Sequence, residues 1–523
     1  MKIAIPVLFS ALLFVALSST AADTPALGSP EFSPTPQQPV GWRGDGTGRY
    51  PGATPPVSWE RKRNGNVYTV KNIVWAAHLP GTGVSCPVIV GDKIFLTTEV
   101  FDLVCMDKKT GRILWIRSNP EFEGLGGDDE AKANPLFAEK LLPLLPQLAK
   151  ANTDLVESLN AIQATAATSS DHPKLTEKLA IEKQILDGQI ALGKKKFERY
   201  WGQGVFGFAG PTATSDGKHV CVFYTTGVSA CYDLNGERKW INRGSGGGSE
   251  HGNFASPLLC ENQFIVWANE MRSYDVESGK LLWSRPAKAN NSYGSLFKVK
   301  SGPDVVAAFQ SGFFTRVRDG KPIWGDNVFG DAVETPIVEG DMMIAAMGYP
   351  RANDTTKGLR AFKIPLEETA KLTPTTSYKT DWAEDEVPQD KDKPFERSYT
   401  ASPLFVKGLI YRMTEGGGLI VNDAATGAVA YRKVLPLKPR TQYWNWAGAS
   451  GSPTLAGKYI YLMDNQGKSV VIEPGPQYKE IAQNVLEDFR DGKEQHQDVS
   501  TPVFEGTRMY YRTPGLLYCI GEK

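Results

Sequence analysis

Residues 107–115 read Asp107-Lys108-Lys109-Thr110-Gly111-Arg112-Ile113-Leu114-Trp115, and this stretch decides the fold. Asp and Gly at this spacing build a tight turn between two antiparallel strands. Asp hydrogen-bonds its own backbone, and Gly accepts a left-handed conformation without steric cost. The aromatic four residues after Gly then falls on the strand that leaves the turn. The device recurs as Asp233…Gly236…Trp240, Asp275…Gly279…Trp283, Asp319-Gly320…Trp324 and Asp423…Gly427…Tyr431. Such recurrence is the mark of an internal repeat, and a repeat governs the reading of the whole chain. An aromatic on an outer strand has the area to wedge between one repeat and the next.

A small residue followed by Pro opens an apolar strand ahead of each turn. The instances are Cys86-Pro87, Gly210-Pro211, Ser256-Pro257, Thr335-Pro336, Ser402-Pro403, Ser452-Pro453 and Thr501-Pro502, with Ser295-Leu296 as an eighth that lacks the Pro. Six of the seven intervals fall between 39 and 67 residues, the length of one four-stranded unit. The first interval is longer and contains an insertion. The last repeat ends at Lys523 without a fourth strand, while residues 72–77 precede the first repeat and read as an outer strand carrying Trp75. Joining the two ends in one blade closes the ring and removes exposed strand edges. The fold expected is therefore all-β: an eight-bladed β-propeller of four-stranded antiparallel blades over residues 66–523.

The D-x-x-[TS]-G-x-x-x-W turn, taken with the small-Pro strand start, resembles the pyrroloquinoline-quinone (PQQ)-like propeller repeat over most of the chain. The Gly-His…Trp-Asp signature of WD40 propellers is absent. The resemblance to the family's enzymes, the quinoprotein dehydrogenases, would imply PQQ, a calcium ion held by carboxylate and amide oxygens, a catalytic Asp and a disulfide between adjacent cysteines. Here the six cysteines are Cys86, Cys105, Cys221, Cys231, Cys260 and Cys519. No two are adjacent, and no CxxCH offers haem attachment. Glu250, Asn253 and Glu334 carry suitable oxygens, but their spacing does not demand a metal. No catalytic residue, metal ligand or cofactor is therefore expected. The resemblance is to the non-catalytic branch, which includes a scaffold lipoprotein of the outer-membrane β-barrel assembly machinery. This chain departs from that pattern in lacking a lipid-anchor cysteine and in carrying an insertion. The function expected is an exported binding or protein-interaction scaffold. The alternative is a PQQ- and calcium-dependent dehydrogenase of alcohols or sugars with a divergent site.

Residues 1–22 read as a signal peptide. Lys2 supplies the positive start, Ile3 to Leu17 an apolar run, and Thr20-Ala21-Ala22 small residues for cleavage. The run is shorter than the ~20 residues of a membrane span, so the chain is expected in the periplasm or outside the cell. Residues 23–65 are rich in Pro and Gly and are expected to form an extended arm on the surface. Residues 120–200 are rich in Ala, Leu, Lys and Glu. Leu175, Leu179, Leu186, Ile190 and Phe197 repeat at helical spacing, so an αα-hairpin is expected between blades 1 and 2, either as a structural flap or as a partner-binding arm. Lys plus Arg number 58, as do Asp plus Glu. This balance gives no case for nucleic acid or an anionic membrane surface, and a monomer is expected. Cys221 and Cys231 flank one hairpin and are placed either to pair or to remain buried thiols.

In a propeller the innermost strands start near one mouth of the central channel, so the loops just before the small-Pro starts converge there. In this chain those loops carry Glu250, His251, Asn253, Tyr293, Glu334, Arg397, Tyr399, Trp446 and His496. A mixed polar and aromatic ring of this kind suits a small-molecule or protein ligand.

Overall fold

The structure is a computed structural model. It describes residues 25–64, 67–127, 129–162, 172–193, 195–197, 207–244, 255–289, 294–348, 358–378, 401–414, 416–437, 451–487, 500–513 and 515–522. The leader expected at 1–22 lies outside the described residues. Short apolar strands pair with their neighbours in sequence, and the described residues form eight β-sheets. Numbered along the chain, their strands fall within residues 88–118, 214–243, 258–286, 297–316, 337–377, 404–434, 454–486 and 503–520. First strands of neighbouring sheets touch one another, as between sheets 1 and 2 and between sheets 6 and 7, which puts them innermost. Ile73–His78 is the outer strand of sheet 8, antiparallel to Leu516–Ile520 with Trp75 opposite Cys519. No described helix is long and apolar enough to cross a membrane.

The aromatic device explains how the sheets join. A side chain added at Gly111 would meet Trp75 of sheet 8, one at Gly236 would meet Trp115 of sheet 1, one at Gly279 Trp240 of sheet 2, and one at Gly320 Trp283 of sheet 3. The tryptophan of each outer strand thus lies against the turn of the next sheet. Trp240 and Trp283 are also tied there by Nε1–H bonds to the Val276 and Val317 carbonyls at 2.8 and 2.7 Å. Sheets 5 and 6 join through the Tyr378 hydroxyl on the Ala424 carbonyl, sheets 6 and 7 through Tyr431 and Tyr478, and sheets 7 and 8 through Tyr461 and Phe504. The ring closes from sheet 8 to sheet 1 through Trp75.

Seven sheets contain the complete four-stranded antiparallel blade, where eight such blades were expected. Six of them have four strands, sheet 7 has four plus three from the N-terminal arm, and sheet 4 has three. The same seven show a one-residue register shift between third and fourth strands, a bulge that turns the outer strand. In sheet 4 the fourth strand does not form. Pro322 has no N–H to give a ladder and keeps one bridge to Thr315, and Trp324 takes a positive φ of 58°. Trp324 instead bonds the Glu367 carbonyl of sheet 5 through its ring N–H.

The N-terminal arm lies on the surface in part, with Pro30, Glu31 and residues 35–38 exposed, and is buried in part. Val40, Arg43, Tyr50, Ala53 and Trp59 are buried. Val40 bridges Ser215 of sheet 2, and Arg49–Tyr50 pairs parallel with the first strand of sheet 7. Gly506 donates to the Gly28 carbonyl, and Thr54 donates to the Gly506 carbonyl. The buried part of the arm, residues 40–50, therefore lies inside the ring against the first strands. The channel wall is apolar there: Ile89 and Phe504 line one side of the arm and Phe405 another. Burying these groups under Leu27, Phe32 and Tyr50 removes apolar surface from water. The chain then emerges, adds the hairpin Glu60–Asn64 and Val67–Lys71 to the outer edge of sheet 7, and enters sheet 8.

Two helices, α1 (Leu144–Ile162) and α2 (Pro173–Leu192), form the insertion between sheets 1 and 2. α1 covers the outer edge of sheet 1, where Asn160 donates to the Ile113 carbonyl at 2.9 Å and accepts from its N–H at 2.8 Å. The expected apolar face of α2 is rotated. Its buried residues are Leu175, Lys178, Glu182, Ile185 and Gln189. Leu179 and Ile190 point to solvent, 44% and 40% exposed.

Candidate functional site

The end of the ring at which first strands begin is also where second strands turn into third strands. Of the nine ring residues expected at this mouth, Glu334 is described. Glu250, His251, Asn253, Tyr293, Arg397, Tyr399, Trp446 and His496 lie outside the described residues. Glu334, 2% exposed, precedes the first strand of sheet 5, and its Oε1 accepts from Arg412 Nη2 of sheet 6 at 2.5 Å. Burial pushes its carboxyl above the usual range, against the pull of Arg412. Its Oε2 is buried and meets no hydrogen-bond donor among the described residues.

Further charged groups gather at the same end, on second strands and the turns after them. Arg512, at the end of the second strand of sheet 8, donates to Ser85 Oγ, just before sheet 1, at 2.6 Å and to the Thr97 carbonyl of sheet 1 at 2.7 Å. Glu99 follows the second strand of sheet 1 and accepts from the Phe208 and Ala209 N–H groups at 2.9 and 2.8 Å. Burial pushes the Glu99 carboxyl up to about 7, against those N–H groups and Arg512. Arg43 rises from the arm and donates to the Pro403 and Pro453 carbonyls at 3.1 and 2.6 Å, at the starts of sheets 6 and 7. Burial pulls its guanidinium down to about 10. Sequence reasoning missed Glu99, Arg412, Arg512 and Arg43 because it searched only the loops before the first strands. A charged residue ending an otherwise apolar second strand, as in Leu409-Ile-Tyr-Arg412 or Met509-Tyr-Tyr-Arg512, was the signal to follow.

Below this level the arm occupies one side of the channel. A cavity of about 420 Å³ remains between Gln37–Thr47 and the first strands of sheets 3 to 6. The channel is thus partly plugged. A calcium ion wants six to eight oxygen ligands. Glu334 is engaged by Arg412, and among the described residues no three His, Cys, Asp or Glu side chains gather. The described donors do not fit that ion.

The insertion is locked to sheet 1 by buried charge. Lys178 pairs with Asp102 at 2.6 Å and with Glu182, and all three are essentially unexposed. Asp102 also accepts from Ser118 Oγ at 2.6 Å, and Asn152 of α1 donates to that same hydroxyl at 2.9 Å. Burial alone would lower Lys178; Asp102 and Glu182 outweigh it and hold the ammonium above its usual range. One ammonium serves two carboxylates, so burial and Asp102 push Glu182 up to about 8 despite Lys178. Breaking a buried pair of this kind costs several kcal/mol, so the hairpin is held as part of the body. Its outer side presents Leu142, Leu179 and Ile190 to solvent.

Residues 272–492 match the family described as outer membrane protein assembly factor BamB. No curated protein matches the chain. Among solved structures, BamB from Moraxella catarrhalis is 14% identical, with 59% of this chain and 81% of that one covered and a TM-score of 0.40. A europium-containing methanol dehydrogenase is 11% identical over 86% of this chain and 93% of that one, with a TM-score of 0.46. A quinohemoprotein alcohol dehydrogenase from Comamonas testosteroni is 11% identical over 86% and 76%, with a TM-score of 0.45. At these TM-scores the likenesses carry no functional argument. The family match spans residues 272–492, less than half of the chain, and the sheets observed make the chain a β-propeller of four-stranded antiparallel blades.

Proposed function

We propose that this chain is an exported, non-catalytic PQQ-like propeller that acts as a protein-interaction scaffold, with the helical hairpin as its partner-binding element. The observation that carries this reading is the inverted polarity of α2. Its buried face holds Lys178 and Glu182, while Leu179 and Ile190 face solvent. A helix that spends charge on its own core and leaves Leu and Ile outside is built to be covered by something else. The match to an assembly-factor family agrees with that role. We read sheet 4 as a blade with its outer strand lost, which makes the ring eight-bladed. We place the protein in the periplasm or outside the cell after cleavage near Ala22. The channel mouth, with Glu334 and its neighbours, is a second place for a small-molecule or protein ligand.

The test uses the full chain with its own leader. Partners are cross-linked in intact cells and compared with those of the double variant Leu179→Glu/Ile190→Glu. The variant is expected to keep the wild-type melting temperature and lose a specific partner. The same cross-links from both proteins would refute the reading.

A second reading, a PQQ- and calcium-dependent dehydrogenase, draws on the buried carboxylates Glu99 and Glu334 near the mouth. Against it stands the bond from Arg412 to Glu334. Titration with PQQ and calcium, followed by absorbance and dye reduction with alcohols or sugars, decides: saturable binding with turnover would displace the scaffold reading.

A further inference from the structure

The hairpin of sheet 2 brings two thiols face to face. His219–Phe223 and Val228–Asp233 pair antiparallel, and Cys221 stands directly opposite Cys231. The Tyr224 N–H bonds the Val228 carbonyl at 2.9 Å. Hydrogen-bonded and non-hydrogen-bonded pairs alternate from there. Phe223 and Ser229 form an open pair, Val222 and Ala230 a bonded one, and Cys221 and Cys231 again an open one. Open pairs bring their α-carbons to about 4.5 Å and their side chains closest, within the span a disulfide bridges. The two Sγ atoms are 2.9 Å apart. That is within about 1 Å of the covalent separation, with no strand movement needed.

We propose that Cys221 and Cys231 are joined by a cross-strand disulfide in the working protein. The bond is distinct from a link between adjacent cysteines, which this chain does not contain. Its formation in cells rests on the export reading, because disulfides persist in oxidising compartments. The oxidant is a disulfide, either a protein dithiol in its oxidised form or a small-molecule disulfide. One cysteine thiolate attacks it, forming a mixed disulfide and releasing the first oxidant thiol. The second cysteine thiolate attacks the cysteine sulfur of that mixed disulfide, forming the Sγ–Sγ bond and releasing the second thiol. Two electrons and two protons pass from the cysteine pair to the oxidant, which is reduced to two thiols.

The surroundings set when this happens. Both cysteines are fully buried in a cluster with Phe223, Trp240, Leu259 and Phe264, between sheets 2 and 3. Burial, and next the neighbouring thiol, push the Cys221 thiol well above its usual range. A thiolate is the attacking species in exchange, so the reaction belongs to folding, before sheet 3 covers the pair. The finished bond is shielded from reductant in the same way. Its effect reaches the mouth, because the hairpin it staples ends in the turn 224–227. There Thr225 donates to the Phe208 carbonyl and Gly244 donates to the Gly227 carbonyl.

Both cysteines lie in one tryptic peptide, His219–Arg238, which makes the test direct. Protein isolated from cells with its own leader is denatured without reductant, alkylated with N-ethylmaleimide and digested. The peptide is expected unlabelled and lighter by two hydrogens, and doubly labelled after reduction in denaturant. Reductant without denaturant is expected to leave it closed. Chain refolded under reductant is expected to melt several degrees lower than chain refolded with a glutathione redox pair. Two labels on the peptide after that oxidising refold would overturn the disulfide. Closure in the refold with two labels on the cellular protein would leave the pair intact and count against export alone.

Discussion

Replacing Gly279 by Ala tests the contact that holds one blade to the next. Gly279 has a positive φ of 69°, and a Cβ there would meet Trp240 Cγ at 2.5 Å, Cδ2 at 2.6 Å and Cβ at 2.9 Å. The left-handed conformation alone costs a non-glycine residue ~1–2 kcal/mol. Trp240 has little room to yield. Its ring N–H is bonded to the Val276 carbonyl, and the ring packs on Phe264 and Tyr274 at centroid distances of 6.0 and 5.8 Å. Forcing it aside adds an overpacking cost of ~1–3 kcal/mol, giving a loss of ~2–5 kcal/mol in all. Gly340→Ala is the control. Gly340 has a φ of 59° in a turn, with nothing within 4 Å of an added Cβ, so it pays only the conformational part. Urea unfolding of both variants, followed by tryptophan fluorescence and far-ultraviolet circular dichroism, measures the difference. In a Trp240→Leu background the Gly279→Ala cost is expected to shrink, since residues in contact are not additive. Equal losses for the two glycines, or full additivity with Trp240→Leu, would refute the wedge.

Three other perturbations have expected outcomes. Lys178→Ala leaves Asp102 and Glu182 facing each other without their ammonium and is expected to cost ~3–5 kcal/mol, read as lost hydrogen-exchange protection across residues 144–192. Glu99 has a folded-state pKa raised from 4.5 to about 7. Its stabilising contribution is therefore complete below 4.5 and lost as pH rises through 7, and Glu99→Gln is expected to flatten the dependence of melting temperature on pH across that window. Arg43→Ala removes the two bonds that tether the arm to the starts of sheets 6 and 7. Limited proteolysis is expected to cut within residues 25–58 faster than in the wild type, with the propeller core spared.

Much of the fold was legible because a propeller blade is a local object. The turn Asp107…Gly111 and the strand ending at Trp115 are written in neighbouring residues, and Trp115 can be assigned to an outer strand before any contact is known. The pairing of residues 73–78 with the C-terminal strands was readable for a related reason: an incomplete last repeat and a stray outer strand need each other. The one local mark of the missing strand of sheet 4 is the Pro of Lys321-Pro322-Ile323-Trp324.

The candidate site was far less legible. Glu334 was assigned to the mouth from its position before Thr335-Pro336, but its partner Arg412 lies 78 residues away in sequence. The repeat, the strand order and the position of the helical insertion were legible in the sequence, since each follows from periodicity and turn chemistry within a few residues. Tertiary contacts set the entry of the Pro- and Gly-rich arm into the channel and the burial of Lys178 with Leu179 outside, and they brought the sulfurs of Cys221 and Cys231, placed on one hairpin by the sequence, to 2.9 Å. The physical reason is common to the first two. An apolar wall and an unbalanced carboxylate such as Asp102 set the environment of residues remote in sequence, and local pattern carries no record of what waits on the other side.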